Sequence, residues 1–213
     1  MIGEMAGLCW GSNVTNQEKN YARGLDCIRC NHGRTMEFPQ IYLLIDDYSA
    51  RVMREIYTHI GGAPTRLQES TRYVDGSNFD YIIPPKIAAN EEATKLYVDH
   101  MQRTRDLITQ LTGAGIDLPR EDVANLLPLG MESKMILRTN LRQLVDMSHQ
   151  RLCSRAYWEF RDFMHEAIKQ LEKYSDEWYT LSREEDLFVP KCEVLGYCPE
   201  RYGCGRKEMR KNA

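Results

Sequence analysis

Residues 140–161, Asn-Leu-Arg-Gln-Leu-Val-Asp-Met-Ser-His-Gln-Arg-Leu-Cys-Ser-Arg-Ala-Tyr-Trp-Glu-Phe-Arg, constrain the fold more than any other stretch. Leu141, Leu144 and Val145, then Leu152, Ala156 and Phe160, recur at helical spacing. Four polar anchors, Asn140, Arg142, Asp146 and Arg151, sit between them. A purely structural helix has little reason to carry so many fixed donors beside its buried stripe. An anionic ligand gives one, because an arginine fork holds a phosphate or a pyrimidine carbonyl edge with two hydrogen bonds. Ion pairing on a helix surface is the competing reading of Arg151, for example with Glu159.

The rest of the chain places this stretch in an α+β domain. Residues 1–10, 18–31 and 48–59 read as helices, and 37–46 as a strand. Gly61-Gly62-Ala63-Pro64 stops the third helix. Residues 90–113 are the clearest amphipathic helix, with Ala93, Leu96, Tyr97, Met101, Leu107, Ile108 and Leu111 as its stripe. A helix starts near Pro119, with Glu121 and Asp122 favoured by its dipole. Residues 131–139 read as a strand, 140–150 as the anchor helix, and 152–174 as a long helix. Helices dominate and the sheet is small.

Composition narrows the function. A net charge of −3 gives no global attraction to nucleic acid. The basic residues near the end, including Arg201, Arg206, Lys207, Arg210 and Lys211, read as a solvated tail. No apolar run reaches the length of a membrane span, and no secretory leader is visible, so a cytoplasmic protein is expected. Seven cysteines in that setting imply free thiols or a metal rather than a disulfide framework. Cys192, Cys198 and Cys204 are spaced more widely than a zinc knuckle, and Cys27 and Cys30 form a C-x-x-C. No metal site is expected; sharing of one ion between the tail and that pair is the alternative. Cys153 reads as a small buried apolar residue. There is no G-x-S-x-G, P-loop or Rossmann fingerprint.

Four blocks then stand in order: His32-Gly33-Arg34-Thr35-Met36-Glu37, Ser70-Thr71-Arg72-Tyr73, Leu118-Pro119-Arg120-Glu121-Asp122-Val123-Ala124 with Leu126-Leu127-Pro128-Leu129-Gly130, and the anchor stretch. Together they resemble the signature of the flavin-dependent thymidylate synthases, the ThyX family. The resemblance implies a ThyX-like fold, with a small central sheet flanked by long helices. It also implies a homotetramer with active sites between subunits. Residues 1–190 would be the catalytic domain and 191–213 a Cys- and Arg/Lys-rich tail. The implied reaction methylates dUMP to dTMP with FAD, methylenetetrahydrofolate and NADPH.

The resemblance also carries roles. Arg151 aligns with the arginine that contacts and activates the uracil ring, so it is the expected catalytic residue. Glu55, Gln68, Ser70, Thr71 and Arg72 align with substrate positions, and Arg72 suits a phosphate. Asn140, Arg142, Asp146 and Arg155 align with flavin-side positions. Asp146 equally suits an i,i+4 pair with Arg142. The hallmark Arg-His-Arg is altered: Thr58-His59-Ile60 keeps the histidine and loses both arginines. Gly61-Gly62 reads as an insertion, after which Thr65 and Arg66 restore a hydroxyl and a charge from a displaced loop. Arg34 replaces a small hydroxyl residue and suits the flavin pyrophosphate. The cofactor set is therefore Arg34, His59, Arg66, Asn140, Arg142, Asp146 and Arg155. Gln68 and Ala124 depart from the usual substrate side, which keeps UMP open as an alternative substrate. A non-catalytic nucleotide- or flavin-binding relative is the other alternative.

Overall fold

The computed structural model describes residues 1–210. Lys211, and with it positions 211–213 of the tail, lie outside the described residues. The elements run α1 (Ile2–Cys9), α2 (Gln17–Arg29), β1 (Gln40–Ser49), α3 (Ala50–Ile56), β2 (Thr65–Gln68), α4 (Pro85–Ala88), α5 (Glu91–Thr112), α6 (Arg120–Val123), β3 (Glu132–Asn140), α7 (Leu141–Arg151), α8 (Trp158–Tyr174), α9 (Asp176–Tyr179) and α10 (Lys191–Leu195). The three described strands form one sheet in the order β1-β3-β2. The chain divides into two compact units.

The first unit takes Met1–Leu43, His59–Thr65 and the chain from Leu137 onward. Helices α1 and α2 touch backbone to backbone at Gly3, where a Cβ would stand 1.8 Å from the Asn20 carbonyl oxygen. Asn16 caps α2 by accepting from Lys19 N at 2.9 Å. Leu141, Leu144, Met147, Phe160 and Met164 are buried to 1% exposure or less. Removing such side chains from water is the main stabilising term of this unit. The long helix starts at Trp158, six residues later than its pattern implies. Tyr157 adopts an extended backbone at ψ 131°, and Arg161 Nη1 donates to the Ser154 carbonyl at 2.8 Å. Residues 152–157 are thus a corner between α7 and α8.

Cys153 lies on that corner. It is half-buried and lines a cavity together with tail residues, which corrects its reading as an inert core thiol. Burial and then Glu193 push the Cys192 thiol up, and Cys153 and Cys198 act in the same direction. All seven cysteines are free thiols.

The second unit takes Leu44–Thr58 and Arg66–Ile136. Its core gathers Phe79, Met101, Ile108 and Val123, with Tyr81, Tyr97, Leu111, Leu127 and Met131 packed against them. Two members of the expected α5 stripe point away: Leu96 is 66% and Leu107 is 42% exposed. The buried face is therefore narrower than the sequence stripe. Arg105 closes one side of this core, its Nε donating to the Phe79 carbonyl at 3.0 Å with its guanidinium over the Phe79 and Tyr81 rings. Strand β2 falls within a stretch that the sequence marks only as loop and extended segment, since its four residues are too few to show a period. No helix among the described residues is long and apolar enough to cross a membrane.

Candidate active site

In the first unit the cluster forms where β3 runs directly into α7. Asn140 ends the strand and caps the helix, its Oδ1 accepting from Gln143 N at 2.9 Å. The 61–63 turn lies against this helix start. A Cβ on Gly62 would stand 2.6 Å from Asn140 Nδ2, and one on Gly61 2.3 Å from Gln143 Oε1. Gly62 also takes φ +67°, where a side chain is disfavoured. The Gly61-Gly62 pair is thus what allows this close approach.

The same turn delivers His59. It is buried at 7% exposure, and Arg151 Nε donates to its Nε2 at 2.9 Å. An arginine Nε only donates, so His59 Nε2 accepts and the neutral ring carries its proton on Nδ1. The Arg151 guanidinium lies 4.5 Å from the Phe160 ring centroid, and the His59 ring lies 5.5 Å from it. One side of the fork is fixed by the imidazole and one face by the benzene ring, so a permanent positive charge is held in a set direction.

Nearby in sequence, Arg142 Nη1 pairs with Glu37 Oε1 at 2.7 Å, and Arg34 Nη1 stands 3.7 Å from Glu37 Oε2. Two guanidinium groups thus converge on one carboxylate and leave a net positive patch. Arg142 turns to Glu37 rather than to Asp146, so the i,i+4 alternative is not taken up; Asp146 is exposed. A Cβ on Gly33 would meet the Arg142 guanidinium at 3.0 Å, so glycine keeps room for that side chain. Arg155 donates from Nη1 to the Tyr202 carbonyl in the tail and stands 4.0 Å from Glu200.

The remaining candidates, apart from Thr65, lie in the second unit. Thr65 and Arg66 belong to β2, not to a displaced loop, and the Arg66 guanidinium lies 5.2 Å from the Tyr57 ring centroid. Burial pulls the pKa of Arg66 down from its ordinary value. Gln68 Nε2 donates to Ser133 Oγ at 3.1 Å. Glu55 is half-buried on α3. Residues 70–74 make a turn, with Tyr73 N and Val74 N donating to the Ser70 carbonyl at 3.1 Å. Arg72 N reaches Ser70 Oγ at 3.4 Å, and Arg72 Nε donates to Glu121 Oε2 at 2.9 Å. Arg120 Nη1 donates to the Tyr73 carbonyl at 3.2 Å. Two sequence blocks about fifty residues apart therefore meet here.

Thr71 lines a cavity of about 300 Å³ shared with Asp46, Asp47, Glu69, Asp75, Asp80 and Glu132. Six carboxylates against Lys134 make this lining unfavourable for a phosphate. Burial, then Asp80, Asp47 and Asp46, pushes Glu132 above the usual carboxylate range.

The sequence reading missed the partners of these groups. Glu37 and Glu121 lie inside the quoted blocks, and a carboxylate within a cluster of arginines is the signal that could have found them. The helical period marks Phe160 as core only, and nothing in the local pattern marks Gln143.

Residues 1–175 match the family described as thymidylate synthase complementing protein, Thy1. A flavin-dependent thymidylate synthase of Nitratidesulfovibrio vulgaris is 32% identical over 94% of this chain and 82% of its own length. The chain belongs to the ThyX family of flavin-dependent thymidylate synthases. A second such enzyme, from Pyrococcus furiosus, is 31% identical over 68% of this chain, which spans 61% of that relative's length. The ThyX fold is also seen in the structure: the crystal structure of ThyX from Helicobacter pylori, complexed with FAD and dUMP, superposes with a TM-score of 0.65. It covers 81% of this chain and 91% of its own at 15% identity, a likeness of fold.

Proposed function

We propose that this ThyX-family chain is a flavin-dependent thymidylate synthase that methylates dUMP to dTMP, with FAD as cofactor and methylenetetrahydrofolate and NADPH as co-substrates. The observation that carries this reading is the family match over residues 1–175 together with the likeness to a flavin-dependent thymidylate synthase along 94% of the chain.

The donor set suits a flavin. Thr139 Oγ1 and Arg138 Nε are buried without a hydrogen-bond partner, just before Asn140. Asn140 Nδ2 reaches the Gly62 carbonyl only at 3.5 Å, too long for a strong bond. Uncommitted donors beside a helix start fit the acceptor-rich pyrimidine edge of an isoalloxazine. Asn140, His59 and Arg142 would hold that ring system, with Arg34 and Arg142 toward its pyrophosphate and Arg66, Asp146 and Arg155 as outer contacts. Bound flavin supplies reducing equivalents.

The chain's own task is electrostatic. Arg151, fixed by His59 and Phe160, holds positive charge against the carbonyl edge of the uracil ring as electron density builds there, which favours attack from C5. Arg72, with Ser70, grips the phosphate, and Thr71 belongs to the remaining substrate contacts. Glu55 and Gln68 complete the substrate contacts.

A homotetramer in the cytoplasm completes the reading. Leu44, Leu67 and Ile136, all in the second unit, are exposed by 74%, 69% and 48%, an apolar surface that association would cover. Residues 1–190 form the catalytic domain and 191–213 an appended tail.

The test is the visible spectrum of purified protein, followed by NADPH addition and turnover of dUMP beside UMP. Flavin bands that NADPH bleaches, with dTMP formed from dUMP, are the expected result. A protein that stays colourless after incubation with FAD overturns it, and turnover of UMP alone reassigns the substrate.

A further inference from the structure

We propose that Cys153, Cys192, Cys198 and Cys204 close around one zinc ion, a structural tetrathiolate site that staples the C-terminal tail to the corner between α7 and α8. All four line one cavity of about 510 Å³ within the first unit. Three come from the tail, and the fourth comes from the corner that follows Arg151. The Cys27 and Cys30 pair does not line this cavity.

Independent contacts bring the tail and the corner together. A Cβ on Gly203 would stand 3.6 Å from Cys198 Sγ, so the segment leading to Cys204 passes directly over Cys198. Cys198 is itself pinned through both backbone groups: its N–H donates to the Glu208 carbonyl at 2.7 Å, and its carbonyl accepts from Arg210 N at 3.2 Å. Arg155 ties Tyr202 to the same corner. Cys192 sits on α10, which packs on α7.

Charge supports the ligand class. Four thiolates around a divalent ion leave two negative charges. The cavity lining supplies Arg151, Arg155, Lys191, Arg206 and Lys207 against the carboxylate of Glu200. Such a lining disfavours a bare cation held by neutral groups and favours an anionic metal–thiolate centre. Zinc accepts four thiolates tetrahedrally, without redox chemistry and at bonds of about 2.3 Å. No group of three His, Cys, Asp or Glu side chains among the described residues is placed to hold a metal ion. Closing the cage requires rotation about Cα–Cβ, where each cysteine has three staggered positions. Each thiol releases its proton to solvent as its sulfur bonds the metal.

The experiment uses the full chain, expressed with added zinc and purified without chelator, with metal read by mass spectrometry. About one zinc per chain is expected. Cys192→Ser and Cys198→Ser should each lose it, while Cys27→Ser and Cys30→Ser keep it. Because the tail variants can misfold, unmodified protein is also reconstituted with cobalt(II). Tetrahedral cobalt–thiolate bands in the red, clear of flavin absorption, support the site. Absence of bound zinc, retention of zinc by the Cys192→Ser/Cys198→Ser double variant, an iron–sulfur spectrum, or non-reducing mass analysis showing these four cysteines paired as disulfides would each overturn it.

Discussion

At the scale of single residues, the structure separates groups that hold charge from groups that merely carry it. Arg151 is held through Nε and through its face, so its direction is part of its function. Replacing it by alanine should lower kcat by about a hundred- to a thousandfold, the usual effect of losing a donor aimed at developing charge. Lysine should not restore the rate, because an ammonium has no fixed fork to lean on His59. Arg72 is different: it is exposed and shares its charge with Glu121. Such a pair adds little to stability. Arg72→Ala should therefore leave the urea midpoint nearly unchanged while raising the KM for dUMP by roughly tenfold to a hundredfold, one lost charge-assisted contact or slightly more. Glu121→Gln should lower that KM; an unchanged value would mean that Arg72 does not meet the nucleotide. Arg151 and Arg72 were legible in the sequence because each sits inside a recognisable block. Their partners were not, since His59 is 92 residues from Arg151 and only the folded chain brings them together.

At the scale of elements, the long helices were legible because their apolar periods run for many turns, and the first long strand because its residues are strand formers although they alternate poorly. The failures have local causes. The α7–α8 corner hides inside a continuous helical pattern because Leu152 and Ala156 keep the period while Tyr157 leaves it through its backbone. The start of α7 depends on one amide, so Asn140→Ala should cost about 1 kcal/mol in urea unfolding, the usual price of a lost cap. The carboxylates beside Thr71 predict a pH response. Glu132 has a folded pKa above its unfolded value, so the unfolded state binds fewer protons in that window. Stability contributed by this group is therefore gained as pH falls through the raised folded value toward about 4.5, and lost as pH rises. Glu132→Gln should make the protein more stable at neutral pH, with an advantage that shrinks on acidification; a constant difference across the titration would contradict the assignment.

At the scale of the whole molecule, the exposed side chains of Leu44 and Ile136 carry the expectation of assembly. A Leu44→Lys/Ile136→Lys double variant should elute as a smaller species in light-scattering chromatography while keeping its helical circular dichroism. Unaltered mass in that variant would place the subunit contacts elsewhere. Fold class and family were readable because the four motif blocks span most of the chain; the division into units was not, because neither unit is a continuous piece of sequence. The backbone crosses between them at 43–44, 58–59, 65–66 and 136–137. No single scission of the gene can yield either half intact. A shuffled or split version would have to restore four junctions at once.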